Sequence, residues 1–369
     1  MIIMPTLEIN LAKIEHNARI LKNLLEKRNI SIIGINKVTQ GNPLIAKSLI
    51  QGGIEYIGDS RITNIIKMKE NGVNAQFVLI RVPSSDEISS IVEHSDYSVN
   101  SELEIIKLLS KEAIKQEKIH HIILMIDMGD LREGIDPINL DFYVKEILSL
   151  KNIRLSGIGT NMKCFRGIIP TVKNMEKLSR YAEKIEKKFC LELKFVSGGN
   201  SANFKWFLSS KTLGAINNLR IGEAIFLGRE TINFDPIPNL YRDAFILTAE
   251  IVELKKRKIT NEGEYVSNAF GEPVQKFQKI DTTSEGKVKK KVRVQALLNL
   301  GRQDTAIDGL TPIENIKILG GSSDYLIIDP NNNDYRVGQK LKFFLNYEAL
   351  LRAMGSPYIT KKYIYLNNL

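Results

Sequence analysis

A chain of 369 residues with 43% hydrophobic content can bury a large core, and its length predicts two domains or one large barrel with an appendage. Two cysteines, Cys164 and Cys190, no leader-like apolar stretch and no run of about 18 apolar residues argue for a reduced cytosolic setting, against secretion and against membrane spanning. The formal charge of +10 rests on lysines spread along helical patterns such as "KIEKK"; the one dense run, "GKVKKKVR" from Gly286 to Arg293, reads as a hairpin edge guarded by lysines and not as a nucleic-acid patch.

Up to about residue 225 one pattern recurs: a short β-branched run, a polar turn, then an amphipathic stretch of helical period. The strand candidates are, in order, "SIIGIN", "IEYIGD", "FVLIRV", "DYSVN", "IILMID", "RLSGIGT", "LKFVSGG" and "NNLRIG". Between them lie helix candidates such as "PLIAKSLIQGG", "SELEIIKLLSKEAIKQ" and "TVKNMEKLSRYAEKIEKKF", which open with Pro, Ser or Thr signals. Eight strands alternating with helices predict an α/β fold of the (β/α)8 TIM-barrel type, with a doubly wound open sheet as the alternative. Around "NFDPIPNLYRDAF", Asn233 to Phe245, prolines interrupt the pattern. The stretches that follow, "FILTAEIVELKK", "KKVRVQALLNLG", "ENIKILGGSSDYLIID" and "QKLKFFLNY", predict a C-terminal all-β domain. The expected division is a barrel over 1–237 and a β domain over 238–369, with the extreme N-terminal strand free to pack on the latter.

Chemistry in such a barrel sits at the C-terminal mouth of the strands, where this sequence places Lys37, Ser60, Arg81, Asn100, Asp127, Asn161, Ser201 and Arg220. Lys37 carries the most specific signal. In a partly desolvated pocket its neutral amine becomes accessible and can condense with a carbonyl compound; the competing reading is a lysine whose head reaches water. "KFVSGGNSANF" puts glycines and Ser201 at a strand-to-helix turn, and "NNLRIGEAIFLG" offers a second turn with the Ile221 and Gly222 amides after Arg220. Turns of this kind after the seventh and eighth strands suit a phosphate. An imine-forming lysine on the first strand and a phosphate cradle at the last two describe pyridoxal 5'-phosphate lying across the mouth.

With these motifs the chain resembles the fold-type III pyridoxal-phosphate enzymes, the alanine racemase group, and most of all its ornithine racemase branch. The resemblance runs in order through "PTLEINLAKIEHNARIL", "LMIDMGDLREGI", "GIGTNMKCFRG", "VSGGNSANF", "LRIGEAIFLGRE", "LNLGRQDTAIDGLTP", "ILGGSSDYLIID" and "LNYEALLRAMGSPYI". It implies a barrel followed by a β domain, and a head-to-tail homodimer whose active sites are completed by the partner's C-terminal domain. Lys37 resembles the lysine that holds the cofactor and acts as one catalytic base. Asn200, Ser201, Ile221, Gly222 and Tyr347 resemble the phosphate ligands, and Arg220 the arginine beside the pyridine nitrogen. Such an arginine weakens the ring as an electron sink and favours racemisation over transamination. Arg132 matches an arginine associated with the substrate carboxylate.

The chain departs from the alanine racemase pattern at several positions. Arg302 stands where the opposite-face tyrosine base is usual, Asn161 where a histidine is usual, and Met125 where some relatives carry a lysine. Cys164, just past the sixth strand, and Arg302 are accordingly candidates for the second catalytic position, with Tyr325 and Tyr347 as further candidates. Asp304 and Asp308 are candidate acceptors for the distal ammonium of a diamino acid, with turn chemistry as the competing reading, strongest for Asp308 before Gly309; Asp324 is a further candidate substrate-binding residue. The expected substrates rank ornithine, lysine, alanine. A non-catalytic pyridoxal-phosphate carrier would need no β domain, and a fold-type III decarboxylase would carry a cysteine-aspartate signature near its C-terminus. No metal is expected, because His16, His94, His120 and His121 lack ligand spacing.

Overall fold

The computed structural model describes residues 4–259, 266–272, 291–331 and 333–365, and no helix among them is long and apolar enough to cross a membrane. Gly286–Lys290, most of the lysine run singled out above, lie outside the described residues. The chain divides between Ala244 and Phe245 into two compact units, and the segment before Asn10 belongs with the second.

Strand β1 (Thr6–Asn10) leads into α1 (Leu11–Glu26), whose first turn is capped by the Asn10 side chain accepting from the Lys13 amide at 3.0 Å. Eight parallel strands then close a barrel: β2 (Ser31–Ile35), β3 (Tyr56–Asp59), β4 (Gln76–Leu79), β5 (Tyr97–Asn100), β6 (His120–Met125), β7 (Ile153–Gly159), β8 (Phe195–Ser197) and β9 (Asn218–Ile221). Closure is made by β2 against β9, with Ile33 beside Arg220, and it removes the open-sheet alternative. Each strand is followed by a helix: α2 (Pro43–Gln51), α3 (Ile62–Glu70), α4 (Ile88–His94), α5 (Leu103–Lys115), α6 (Leu140–Ser149), α7 (Val172–Phe189), α8 (Phe204–Ser209) and α9 (Glu223–Leu227). The helices start where the side chains demand it. Asn42 caps α2 with Pro43 in its first turn, and Thr171 and Asn174 form a reciprocal capping box on α7.

The barrel interior is packed with Ile33, Ile35, Val78, Val99, Ile123, Met125 and Phe195. At its N-terminal end Lys194 lies over the rings of Tyr56 and Tyr97, 5.2 Å from each, and donates to the Tyr97 hydroxyl at 2.8 Å. That end is plugged by an aromatic layer and a lysine.

The second unit is an antiparallel sheet ordered β12-β15-β10-β11-β14-β13, with β1 paired to β10 and β16. Its strands are β10 (Phe245–Ile259), β11 (Lys291–Leu298), β12 (Leu310–Pro312), β13 (Lys317–Gly321), β14 (Leu326–Asp329), β15 (Lys340–Leu345) and β16 (Thr360–Ile364), with α10 (Tyr347–Gly355) between the last two. Leu341, Phe343 and Leu345 alternate inward along β15. The strand-like stretch "ENIKILGGSSDYLIID" is a hairpin of β13 and β14. The Ser322 amide donates to the Tyr325 carbonyl at 2.9 Å, and Gly320 takes a φ of 148° that breaks the run.

Candidate active site

Lys37 opens a single 3-10 turn immediately after β2, and the turn is held by Asn36, which is fully buried. The Asn36 amide group donates to the Asn42 carbonyl at 3.1 Å, its backbone N–H donates to the Gly58 carbonyl at 2.8 Å, and its Oδ1 accepts from the Thr39 hydroxyl. The turn ends on Gln40 and Gly41, both left-handed; at Gly41 a Cβ would sit 2.9 Å from the backbone of Asn64. Lys37 thus springs from a fixed point. Its Nζ makes no hydrogen bond to any described residue. Burial holds the ammonium below the usual lysine range; Cys164 opposes that shift, Arg132 adds to it, and Asp59 and Glu133 oppose it.

The loops after β6 and β7 bring the next group. Asp130, 3% exposed, accepts from the backbone amides of Cys164, Phe165 and Arg166, each at 3.2 Å, and so folds the second loop onto the first. Arg132 places Nε and Nη2 on the two carboxylate oxygens of Glu133 and donates from Nη1 to the Cys164 sulfur at 2.5 Å. Every side of that guanidinium is engaged, and Cys164 itself remains exposed.

Arg220 projects from β9, 6% exposed, donating to the Ser197 hydroxyl and the Thr160 carbonyl, both at 2.6 Å, and to Asn161 Oδ1 at 3.4 Å. Its Nε meets no acceptor among the described residues. Burial pulls this guanidinium down to about 10, against the opposing charge of Glu133, so it stays a cation at neutral pH. Arginine only donates, which fixes the Asn161 amide with its oxygen toward Arg220 and toward Asn200 Nδ2 at 3.0 Å. Beside Asn161 the buried Thr160 hydroxyl has no partner.

After β8 the Gly198–Gly199 turn takes the chain into a short 3-10 segment, Ser201–Asn203, capped by Asn200. Gly199 has φ 141°, and a Cβ there would lie 2.3 Å from Asn203 Oδ1. The Ala224 amide donates to the Ser201 hydroxyl at 3.2 Å, tying this turn to the one after β9 and leaving the hydroxyl proton to donate elsewhere. At Gly222 a Cβ would come within 3.2 Å of Ile35, so the backbone there approaches the first strand closely.

Lys37, Arg132, Cys164, Asn161, Asn200, Ser201, Arg220, Ile221 and Gly222 therefore share one unit, and Lys37 and Arg220 both feel the charges of Arg132, Glu133 and Cys164. Arg302, Asp304, Asp324 and Tyr347 lie in the other. Arg302 lies 3.0 Å from Glu272 and 3.8 Å from Asp308, with Phe270 beneath its guanidinium. In that setting it contributes charge and cannot accept a proton. Asp304 is 5% exposed and accepts from the Gly301 amide at 2.8 Å, so it stabilises its own turn; Asp324 is exposed and accepts from Gln303 at 2.9 Å. Tyr347 is the first residue of α10, whose cap is Asn346.

Sequence reasoning passed over three of these groups. Asp59, last in β3, is fully buried, whereas its neighbour Ser60 had been placed in the polar ring. Glu133 and Asp130 flank Arg132 and organise it. An acidic residue after a glycine at a strand end was the available signal for Asp59.

Residues 9–230 match the family model of the alanine racemase N-terminal domain. The chain is 38% identical to the ornithine racemase of Acetoanaerobium sticklandii over 362 residues, 97% of this chain and 99% of that one. To the lysine racemase of Thermotoga maritima it is 36% identical over 361 residues, 97% and 98% of the two chains. Among solved structures, an alanine racemase of Clostridium difficile shares the fold with a TM-score of 0.73, covering 100% of this chain and 98% of that one at 17% identity. A closed barrel with an amine and a guanidinium at its mouth, continued in sequence by an antiparallel β unit, defines the class: an amino-acid racemase, an isomerase. The chain belongs to the alanine racemase family.

Proposed function

We propose that this racemase interconverts the enantiomers of an amino acid, ornithine ahead of lysine and alanine, with pyridoxal 5'-phosphate held at Lys37, as a cytosolic head-to-tail homodimer. The observation that carries the reading is the pairing, in one mouth, of a lysine amine without a hydrogen-bond partner and a buried arginine whose Nε has no acceptor. The cofactor's ring nitrogen is an acceptor that Arg220 can serve, and the orphaned Thr160 hydroxyl beside it is a buried polar atom that a bound group would satisfy. The Ser201 hydroxyl and the amides at Ile221 and Gly222 suit the phosphate. When bound, pyridoxal 5'-phosphate supplies an aldehyde for the substrate amine and a conjugated ring that acidifies the Cα–H.

The protein's own groups do the rest. Lys37, partly desolvated, takes or returns a proton at one face of Cα, and Cys164, held by Arg132, exchanges it at the other. Arg132 gives up one of its present partners to clamp the substrate carboxylate. Arg302 contributes positive charge. Of the aspartates considered for the substrate, Asp324 is exposed and open to a distal ammonium, whereas Asp304 is buried under its own turn. Ornithine ranks first because the ornithine racemase of Acetoanaerobium sticklandii is similar over nearly the whole chain.

The test is polarimetric racemisation of each enantiomer of ornithine, lysine and alanine by the cofactor-loaded protein. The expected order of kcat/KM is ornithine, lysine, alanine; alanine turned over faster than both diamino acids overturns the ranking.

A further inference from the structure

The Asp59 carboxylate ends β3 at the barrel mouth, next to the turn that carries Lys37. Strand register fixes that neighbourhood: Ile35 pairs with Gly58, and the Asn36 amide donates to the Gly58 carbonyl at 2.8 Å, so the residue after Gly58 lies alongside the Asn36–Lys37 turn. One oxygen of the carboxylate is saturated, by the Arg61 amide at 3.0 Å and the Asn64 side chain at 2.9 Å. The other, Oδ2, is buried and has no partner among the described residues, on a residue with no exposed surface. A buried carboxylate oxygen left unsatisfied is costly, and such groups persist where the surroundings use them.

Lys37 is the complementary case, an amine with no hydrogen bond. The charged groups that face it are Cys164 and Arg132 with Glu133, from the loops after β7 and β6, and Asp59 from β3. Glu133 is occupied by the Arg132 fork, and the Cys164 sulfur receives Arg132 Nη1. Of these groups, Asp59 is the one with a carboxylate oxygen that has no partner among the described residues. Facing Asp59 in turn are Asn64, Arg61, Ser60 and Lys37.

We propose that Asp59 is the positioning residue of Lys37, its open oxygen accepting a hydrogen bond from the lysine ammonium while that group carries the substrate's proton. The inference rests on the reading of Lys37 as the cofactor lysine. The exchange balances without a further reactant: the neutral amine takes the Cα proton, Asp59 Oδ2 receives the resulting N–H as a hydrogen-bond acceptor and stays unprotonated, and the same proton leaves when the amine returns it. The carboxylate makes the ammonium easier to keep.

The experiment uses the full chain stripped of cofactor with hydroxylamine, then mixed with pyridoxal 5'-phosphate between pH 7 and 9 and quenched with borohydride, the Lys37 peptide being quantified by mass spectrometry. Asp59→Asn keeps an oxygen for Arg61 and Asn64 while removing the charge, and Asp59→Ser serves if the amide is not tolerated. In either variant the capture profile is expected to move to lower pH by about one unit, with capture at pH 7 about tenfold faster, as the loss of an adjacent opposite charge requires. Asn64→Ala removes a partner of the other oxygen and is expected to leave the profile in place. An Asp59→Asn profile that coincides with the parent, or an Asn64→Ala profile that shifts equally, overturns the proposal. Failure of the parent itself to trap the cofactor on Lys37 would instead overturn the racemase mechanism on which the proposal rests.

Discussion

Two buried titratable groups in the barrel make opposite demands on pH, and together they give a sharp prediction. His120 opens β6, 2% exposed, with Nε2 2.8 Å from the Ser98 hydroxyl; burial first, and the neighbouring His121 second, push it down to about 4. Its folded value lies below the unfolded one, so its contribution to stability is complete above the unfolded value near 6.5 and is lost as pH falls through the folded value. Asp59 runs the other way. Burial, only partly offset by the Asn64 and Arg61 bonds, raises it to about 6, so its contribution is complete below the unfolded value near 3.8 and is lost as pH rises through the folded value. At 1.36 kcal/mol per pH unit each gap amounts to roughly 3 kcal/mol. The assay is urea unfolding at pH 4, 5, 6 and 7, followed by the fluorescence of the chain's one tryptophan, Trp206, which is buried in α8 of the barrel unit. On acidification, the stability of the parent relative to His120→Gln should fall by roughly 3 kcal/mol, while its stability relative to Asp59→Asn should rise by a similar amount. Differences that do not vary with pH, or that vary in the same direction for both variants, would refute the reasoning.

Ser201→Ala removes a hydroxyl donor from the cradle and should weaken pyridoxal 5'-phosphate binding about tenfold, measured by equilibrium dialysis, with the fold unchanged. Cys164→Ala should abolish racemisation while leaving Cα deuterium exchange into one enantiomer only; equal exchange into both would assign the second proton to another group. Lys194→Met deletes a cation over two aromatic rings at the barrel floor and should lower stability by about 1 to 2 kcal/mol in urea, without altering KM.

The barrel was readable because each of its strands is a short β-branched run bounded by turn residues, and several of its helices start with a cap that side-chain chemistry dictates, as at Asn42 and Thr171. The β unit was less so. The strand-like stretch "ENIKILGGSSDYLIID" folds back on itself because a positive-φ glycine and a serine turn outweigh the β-branched residues on either side. Short β12, three residues long, carries no period at all. Within the site, Lys37, Ser201 and Arg220 follow from position on a strand and from glycine turns. The Glu133 fork on Arg132, the Asp130 bonds to the Cys164 loop and the open oxygen of Asp59 are products of tertiary placement, and no spacing in the sequence encodes them.

The central claim is that the Lys37 amine captures the cofactor aldehyde, and reduction of the cofactor-loaded protein with borohydride followed by peptide mapping addresses it most directly. The account predicts one phosphopyridoxyl adduct per chain, on the peptide containing Lys37, and loss of that adduct in Lys37→Ala. An adduct on any other lysine, or a reduced protein of unchanged mass, would contradict it.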